Sequence, residues 1–430
     1  MNIHFPPKPQ NSFDCFIDTY FQECSSRFPK IEAIAGKWEY RDLIPGMSDF
    51  DTRFLCSSDM SMDDWCKMSE IVGQVHLELS ITHPEWARIL EHLPGVNPTW
   101  AEFTSDDHYY PEYAQWSIYR ATNCQKMQEA ETFISSHKWD ARDEYYFLKK
   151  YITYCGRYNR KIDPPINLGE FSVKYPLHSR IMHYFVPPLQ AAVSLKERKT
   201  CRGKITALEK AKYLFPQIAQ LLEEIVDIVD KHYEVPDLYE EPMLTQFEDR
   251  LENALYLLLE EIKSYITLFP VEKADGVPEL KAKIAAVEVS PAMKLFDSCR
   301  FSKLFKGRMY FYANAPEHFD NLWLIQNELG RIGEMFFSGP YKIYWKVVRG
   351  VDTDNPQELL NQLVPDVLTQ KEMQATREFA SLTLKGWSEG CEIETAKKLI
   401  VIFDDVFKGI YKISADLDAF LEHNRREEVK

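Results

Sequence analysis

The sequence predicts an α+β fold: a small mixed-sheet α/β unit over residues 12–125, followed by a large, mainly α-helical region over residues 126–430. Three observations carry this. The first quarter of the chain reads in the order helix, strand, strand, helix, strand. Strand signals become rare beyond about residue 125, where long amphipathic stripes take over. Finally, 430 residues exceed what one hydrophobic core usually organises. A subdivision of the helical region is expected near 270–290.

Taken in order, Ser12 can cap a helix whose apolar positions Phe13, Phe16, Ile17, Tyr20 and Phe21 recur at three and four residues, with Pro29 ending it. Ile31 to Gly36 alternates apolar with small or polar residues and stops at glycine, as a short strand would. A connector runs to Pro45-Gly46. Phe50 to Cys56 is the second expected strand, with Phe50 and Phe54 on one face and Asp51 and Arg53 on the other. From Asp63 a helical stripe returns in Trp65, Met68, Ile71, Val72, Val75 and Leu79. A short helix is expected from Pro84 to Leu93 and a third strand over Asn97 to Phe103. Further on, Leu221 to Val229, Leu244 to Tyr265 and Ile393 to Ile410 carry the stripes of bundle helices. These stripes are read as core.

Composition narrows the function. The net charge of −15, with no compensating Lys/Arg-rich run, disfavours a nucleic-acid partner and suits a small or cationic one. Nine scattered cysteines without a Cys-x-x-Cys pair suit reduced thiols. The start, MNIHFPPKPQ, lacks a basic segment followed by an apolar run, and no long uncharged apolar stretch follows. The expected setting is soluble and cytoplasmic, without a membrane partner.

The chemistry concentrates between residues 35 and 54, in Ala35-Gly36-Lys37, a connector, and Ser48-Asp49-Phe50-Asp51 leading into the second strand. Two carboxylates two residues apart at a strand start share one face and can meet the same hard cations through oxygen. This segment resembles the signature of the polymerase-beta-like nucleotidyltransferase superfamily, in which a glycine with a small polar residue precedes Ser-Asp-x-Asp. The likeness covers roughly residues 12 to 104, and aminoglycoside-type small-molecule enzymes are the comparison it suggests. Lys37 stands where the family usually has serine, and the connector is about two residues longer than the common form.

The resemblance implies a nucleotide-binding, metal-binding transferase. In it Asp49 and Asp51 hold two Mg2+ ions, Gly36, Lys37 and Ser48 contact the nucleotide, and ATP or another nucleoside triphosphate is the donor. A nucleoside monophosphate, AMP first, then passes to a hydroxyl of a small-molecule acceptor. The family's third carboxylate, on a following strand, completes coordination and serves as general base. Glu102 is the candidate, with Asp106 and Asp107 as alternatives. The competing reading is a non-catalytic nucleotide-binding or interaction protein with a vestigial domain, which should lack a third acid near the metal site. Lys196, Arg198, Lys199, Arg202 and Lys204 form a local basic spot, read either as a solvated face or as a contact to triphosphate. His178 and His183 read as ordinary packing or surface residues, and Asp237 to Glu241 as a stretch able to line a cleft for a cationic acceptor.

Overall fold

The computed structural model describes residues 13–37, 39–43, 48–86, 89–155, 176–315, 325–326, 328–384 and 390–428. The chain enters through helix α1 (Phe13–Arg27), followed by strands β1 (Ile31–Gly36) and β2 (Thr52–Cys56). Helix α2 (Met62–Thr82) starts where Ser61 and Asp64 form a reciprocal capping box. Of its predicted stripe, Trp65, Met68, Val72, Val75 and Leu79 are buried and Ile71 is half-buried.

The third strand is not where the sequence predicted it. Residues 95–99 do run beside β2, but the Asn97 side chain and Pro98 interrupt the ladder. Asn97 Oδ1 takes the Phe54 N–H at 2.8 Å, Gly95 donates to Thr52 O, and Cys56 donates to Pro98 O. A single parallel bridge, Cys56 to Thr99, remains of the expected pairing. Pro98 has no N–H to give, and Thr99 with Glu102 forms a capping box that starts the short helix α3 (Trp100–Phe103). β3 is instead Ser117–Ala121. The sheet order is β2-β1-β3 with both pairings antiparallel, so the expected mixed sheet is an antiparallel one. The helix expected from Pro84 to Leu93 is reduced to a 3-10 turn at Pro84–Trp86 and turn residues from Ile89.

Helices then dominate: α4 (Cys124–Ser136), α5 (Ala141–Tyr154), α6 (Val186–Glu197), α7 (Lys204–Leu214), α8 (Ala219–Asp230), α9 (Glu241–Ile262), α10 (Val277–Ala286), α11 (Pro291–Cys299), α12 (Phe305–Asn314), α13 (Gln370–Thr383) and α14 (Glu392–Glu428). Among the described residues none is long and apolar enough to cross a membrane.

The small sheet is covered on both faces. Ala33, Ala35 and Leu55 belong to one hydrophobic core, shared with helices α4 to α10. Ile31, Ile34, Phe54 and Cys56 belong to a second, shared with α1, α2, α12, α13 and α14. A register shift between Ile31 and Ala33 lets Ile31 and Ile34 enter the same core despite being three apart. The chain passes from the first core to the second within α11, between Met293 and Leu295.

Candidate functional site

Gly36 ends β1 opposite Thr52, the first residue of β2, so the segment before β2 is delivered to the open end of β1. Asp49 and Asp51 stand in that approach, ahead of the strand itself. Thr52 N donates back to Phe50 O at 2.7 Å, a tight local turn that interrupts strand periodicity. Phe50 still joins Phe54 in one core, and Asp51 Oδ1 lies 3.8 Å from Arg53 Nη1. Ser48 is buried beside them.

Glu91 and His92, which fall within the helix expected from Pro84 to Leu93, complete this corner. The donor atoms of Asp49, Glu91 and His92 all lie within 4.8 Å of one another. Both residues sit in the loop that Asn97 and Gly95 fasten to β2, and helix α12 holds it from behind. Tyr312 Oη shares a 2.8 Å hydrogen bond with His92 Nδ1, and Arg308 donates to Leu93 O. His92 Nε2 is 3.4 Å from Glu91 Oε1 and so faces the carboxylates. Burial and the Arg308 guanidinium hold the His92 pKa down at about 4, against the pull of Asp49, Asp51 and Glu328, so its ring is neutral at pH 7. The legible signal was an acid and a histidine side by side just ahead of Leu93-Pro94-Gly95, where a helix must break.

Glu102 goes elsewhere. Its carboxylate caps α3 by accepting the Thr99 N–H at 2.6 Å, and it pairs with Lys303 Nζ at 2.9 Å. Burial works against its charge, and the Lys303 ammonium more than offsets this, holding the pKa below the usual range. The observed third strand, Ser117-Ile118-Tyr119-Arg120-Ala121, carries no acid. Asp106 pairs with Arg142 and Asp107 with Arg425. The acidic group that the structure brings to Asp49 is therefore Glu91.

Cationic side chains from three elements lie within electrostatic reach of one another, and one of them, Lys204, also reaches Asp49 and Asp51. Lys37 follows β1, Lys150 lies in the C-terminal half of α5, and Lys204 opens α7. Burial lowers the Lys204 pKa against the opposing pull of Asp49, Asp42 and Asp51. Lys150 is driven well down, by burial first and then by the Lys37 charge. Glu112 is buried too, yet Lys37, Arg53 and Arg300 bring its pKa to about 2, and it accepts from Arg53 Nη2 at 3.0 Å. Of the basic spot read from sequence, Lys204 alone is drawn to the aspartates. Lys196 pairs with Glu261, Arg198 with Glu144, and Arg202 donates to Ala114 O. The connector docks on α7 where Asp42 Oδ1 accepts the Ile205 N–H at 2.8 Å. Pro45-Gly46 lies outside the described residues.

At Gly36 an added Cβ would lie 2.4 Å from the Tyr119 ring, so the missing side chain admits Tyr119 from β3. His178 is buried and shares a 2.8 Å hydrogen bond with Tyr233 Oη, as a packing histidine does. Asp237 lies in a 3-10 turn, Pro236–Tyr239, with Glu241 opening α9. A second acid–histidine group, His137 with Asp140 and Asp143, is a capping network. Asp143 accepts from Tyr109 Oη and the Asp140 N–H, and pairs with His137 Nε2 at 2.8 Å.

Two ligands bonded to one cation at about 2.1 Å cannot be more than about 4.2 Å apart, so the Asp49–Glu91–His92 set needs only a small contraction to share an ion. Two carboxylates suit Mg2+ and Mn2+, and the imidazole adds affinity for softer divalent ions such as Mn2+. The residues fit a single divalent ion with Asp51 beside it. Compared with protein-family models, curated proteins and solved structures, the chain matches none.

Proposed function

We propose that this chain is a metal-dependent nucleotidyltransferase. It moves a nucleoside monophosphate, AMP first, from a triphosphate to a hydroxyl of a small-molecule acceptor. The observation that carries the reading is the convergence of Asp49, Glu91 and His92 at the open end of β1 and β2, with Lys204 drawn to Asp49 and Asp51 and Lys37 and Lys150 within electrostatic reach of Lys204.

Asp49, Glu91 and His92 Nε2 would hold a divalent cation, which supplies charge neutralisation and Lewis-acid polarisation of a phosphoryl oxygen. Tyr312 fixes the ring so that Nε2 points to the carboxylates. Burial, and then charge repulsion, hold the Lys150 and Lys204 pKa values below the usual range, and a polyphosphate beside them would offset that repulsion. Their place is along the β- and γ-phosphates. The acceptor oxygen attacks the α-phosphorus, the bond from that phosphorus to the bridging oxygen breaks, and pyrophosphate leaves. Asp51, with its side chain 29% exposed, takes the acceptor's proton. The net charge of −15 suits a small acceptor better than a nucleic acid.

The test is pyrophosphate release from each of the four nucleoside triphosphates with Mg2+ or Mn2+, against a panel of metabolites and aminoglycosides. Turnover that requires the metal and is lost in both Asp49→Asn and Asp51→Asn is expected. Metal-independent turnover, or an Asp49→Asn protein as active as the parent, would overturn the reading.

A further inference from the structure

A cavity of about 280 Å³ lies between the loop after α3, helix α11 and the middle of α14. Asp49, Asp51, Glu91 and His92 are not among its lining residues. Its walls are mainly apolar, with Tyr113, Leu295, Phe296, Phe407, Ile410 and Tyr411 facing the space. The charged residues of its lining have all found partners within the protein. Glu102 pairs with Lys303 at 2.9 Å, Asp107 with Arg425 at 2.9 Å, His108 with Asp418 at 3.5 Å, and Arg300 with Asp297 at 2.8 Å. Lys303 also lies 4.2 Å over the Trp65 ring, and Tyr110 Oη donates to Asp297 at 2.6 Å.

This pairing decides what can bind. A charged ligand would have to break an existing ion pair or bring its own charge into an apolar space unmatched. An uncharged ring meets mainly apolar and aromatic walls and leaves the ion pairs intact. The volume is at the small end of ligand pockets and suits one or two rings. We infer that this cavity is a binding site for a small, uncharged aromatic molecule, separate from the nucleotidyl-transfer centre and independent of that reading. The Asp107–Arg425 and His108–Asp418 pairs tie the loop after α3 to the C-terminal part of α14 across the cavity, so a ligand enters past two exposed ion pairs.

The experiment is calorimetric titration of the full chain with three molecules of one shape: 2-phenylethanol, phenethylamine and phenylacetate. The alcohol is expected to bind at least tenfold more tightly than either charged analogue. Ser414→Phe on α14 and Ala292→Phe on α11, two lining positions on different helices, should each fill the space and abolish binding. Thermal melting identifies which of the two variants is folded, and that one is the control. Binding of the amine or the carboxylate as tight as that of the alcohol, undiminished binding in a folded filled variant, or no binding of any of the three at millimolar concentration would overturn the inference.

Discussion

Tyr20 Oη lies 3.0 Å from His76 Nδ1 and Leu90 O lies 2.6 Å from Nε2, so both nitrogens of a buried ring are committed. Burial leaves the imidazolium without solvation and lowers its pKa to about 3. A histidine in the unfolded chain titrates near 6.5, so as pH falls below that the unfolded state takes up a proton which the fold refuses. This part of the stability is present above pH 6.5 and drains away toward pH 3, at up to about 1.4 kcal/mol per pH unit. Urea denaturation of His76→Gln between pH 6.5 and 4.5 should show a shallower loss than the parent. Equal slopes would mean that His76 titrates normally in the fold. The two glutamates raise a different question at the same scale. Glu102→Gln leaves an oxygen able to accept the Thr99 N–H but removes the charge paired with Lys303, and should cost about 1 kcal/mol of stability while leaving turnover near the parent value. Glu91→Gln should do the opposite, abolishing metal-dependent turnover; a reversed pattern would restore Glu102 to the centre. The nearness of Asp49 and Asp51 ahead of β2 was legible because their spacing is local. Glu91 was not, because it reaches Asp49 only through a loop whose course Asn97 and α12 determine.

Helices α2 and α12 meet at glycines. A Cβ added at Gly307 would sit 2.1 Å from Ser69 O, and one at Gly73 would sit 2.7 Å from Gly307 Cα. Gly307 N donates to Ser69 Oγ at 3.0 Å across the same contact. Backbone stands in the way in both cases, so the helices must part for any side chain. Gly307→Ala is expected to cost about 1–3 kcal/mol, read as a lower urea midpoint at unchanged slope. Val401→Ala, at a position 80% exposed, should change little. A Gly307→Ala midpoint equal to that of the parent would show that the two helices can move apart without cost. The α2 stripe itself was plain in the sequence, since 3.6-residue periodicity reports burial of one face. The glycine contact was not, because nothing local distinguishes a glycine that admits a partner helix from one that weakens its own. The same limit explains the strand expected at Asn97 to Phe103. The segment does lie along β2, but whether its backbone pairs depended on Asn97 turning its side chain to Phe54 N and on Pro98 having no proton to donate.

At the scale of the molecule, the three-stranded sheet lies between two cores, and neither is supplied by the first 125 residues alone. Ala33, Ala35 and Leu55 need Leu189, Ala192 and their neighbours from the later helices; Ile34 and Phe54 share their core with Phe305, Met309 and Phe311. Polar ties repeat the pattern, from Arg41 to Glu209, Glu102 to Lys303, His92 to Tyr312 and Asp107 to Arg425. Composition and periodicity distinguished the two regions correctly as kinds of structure, yet a change of kind along the chain is not a boundary between folding units. A protein cut between residues 105 and 130 should therefore lose structure on both sides of the cut, since each fragment would expose the core face that the other covers. Limited proteolysis is expected to yield no stable fragment ending in that interval, and a chain of residues 1–125 made alone should give a poorly dispersed amide spectrum without a cooperative melt. A dispersed spectrum and a sharp melting transition for that chain would show that the sheet supports itself. The second core would then be an attachment, and the corner formed by Asp49, Glu91 and His92 would keep its shape without Tyr312 and Arg308 behind it.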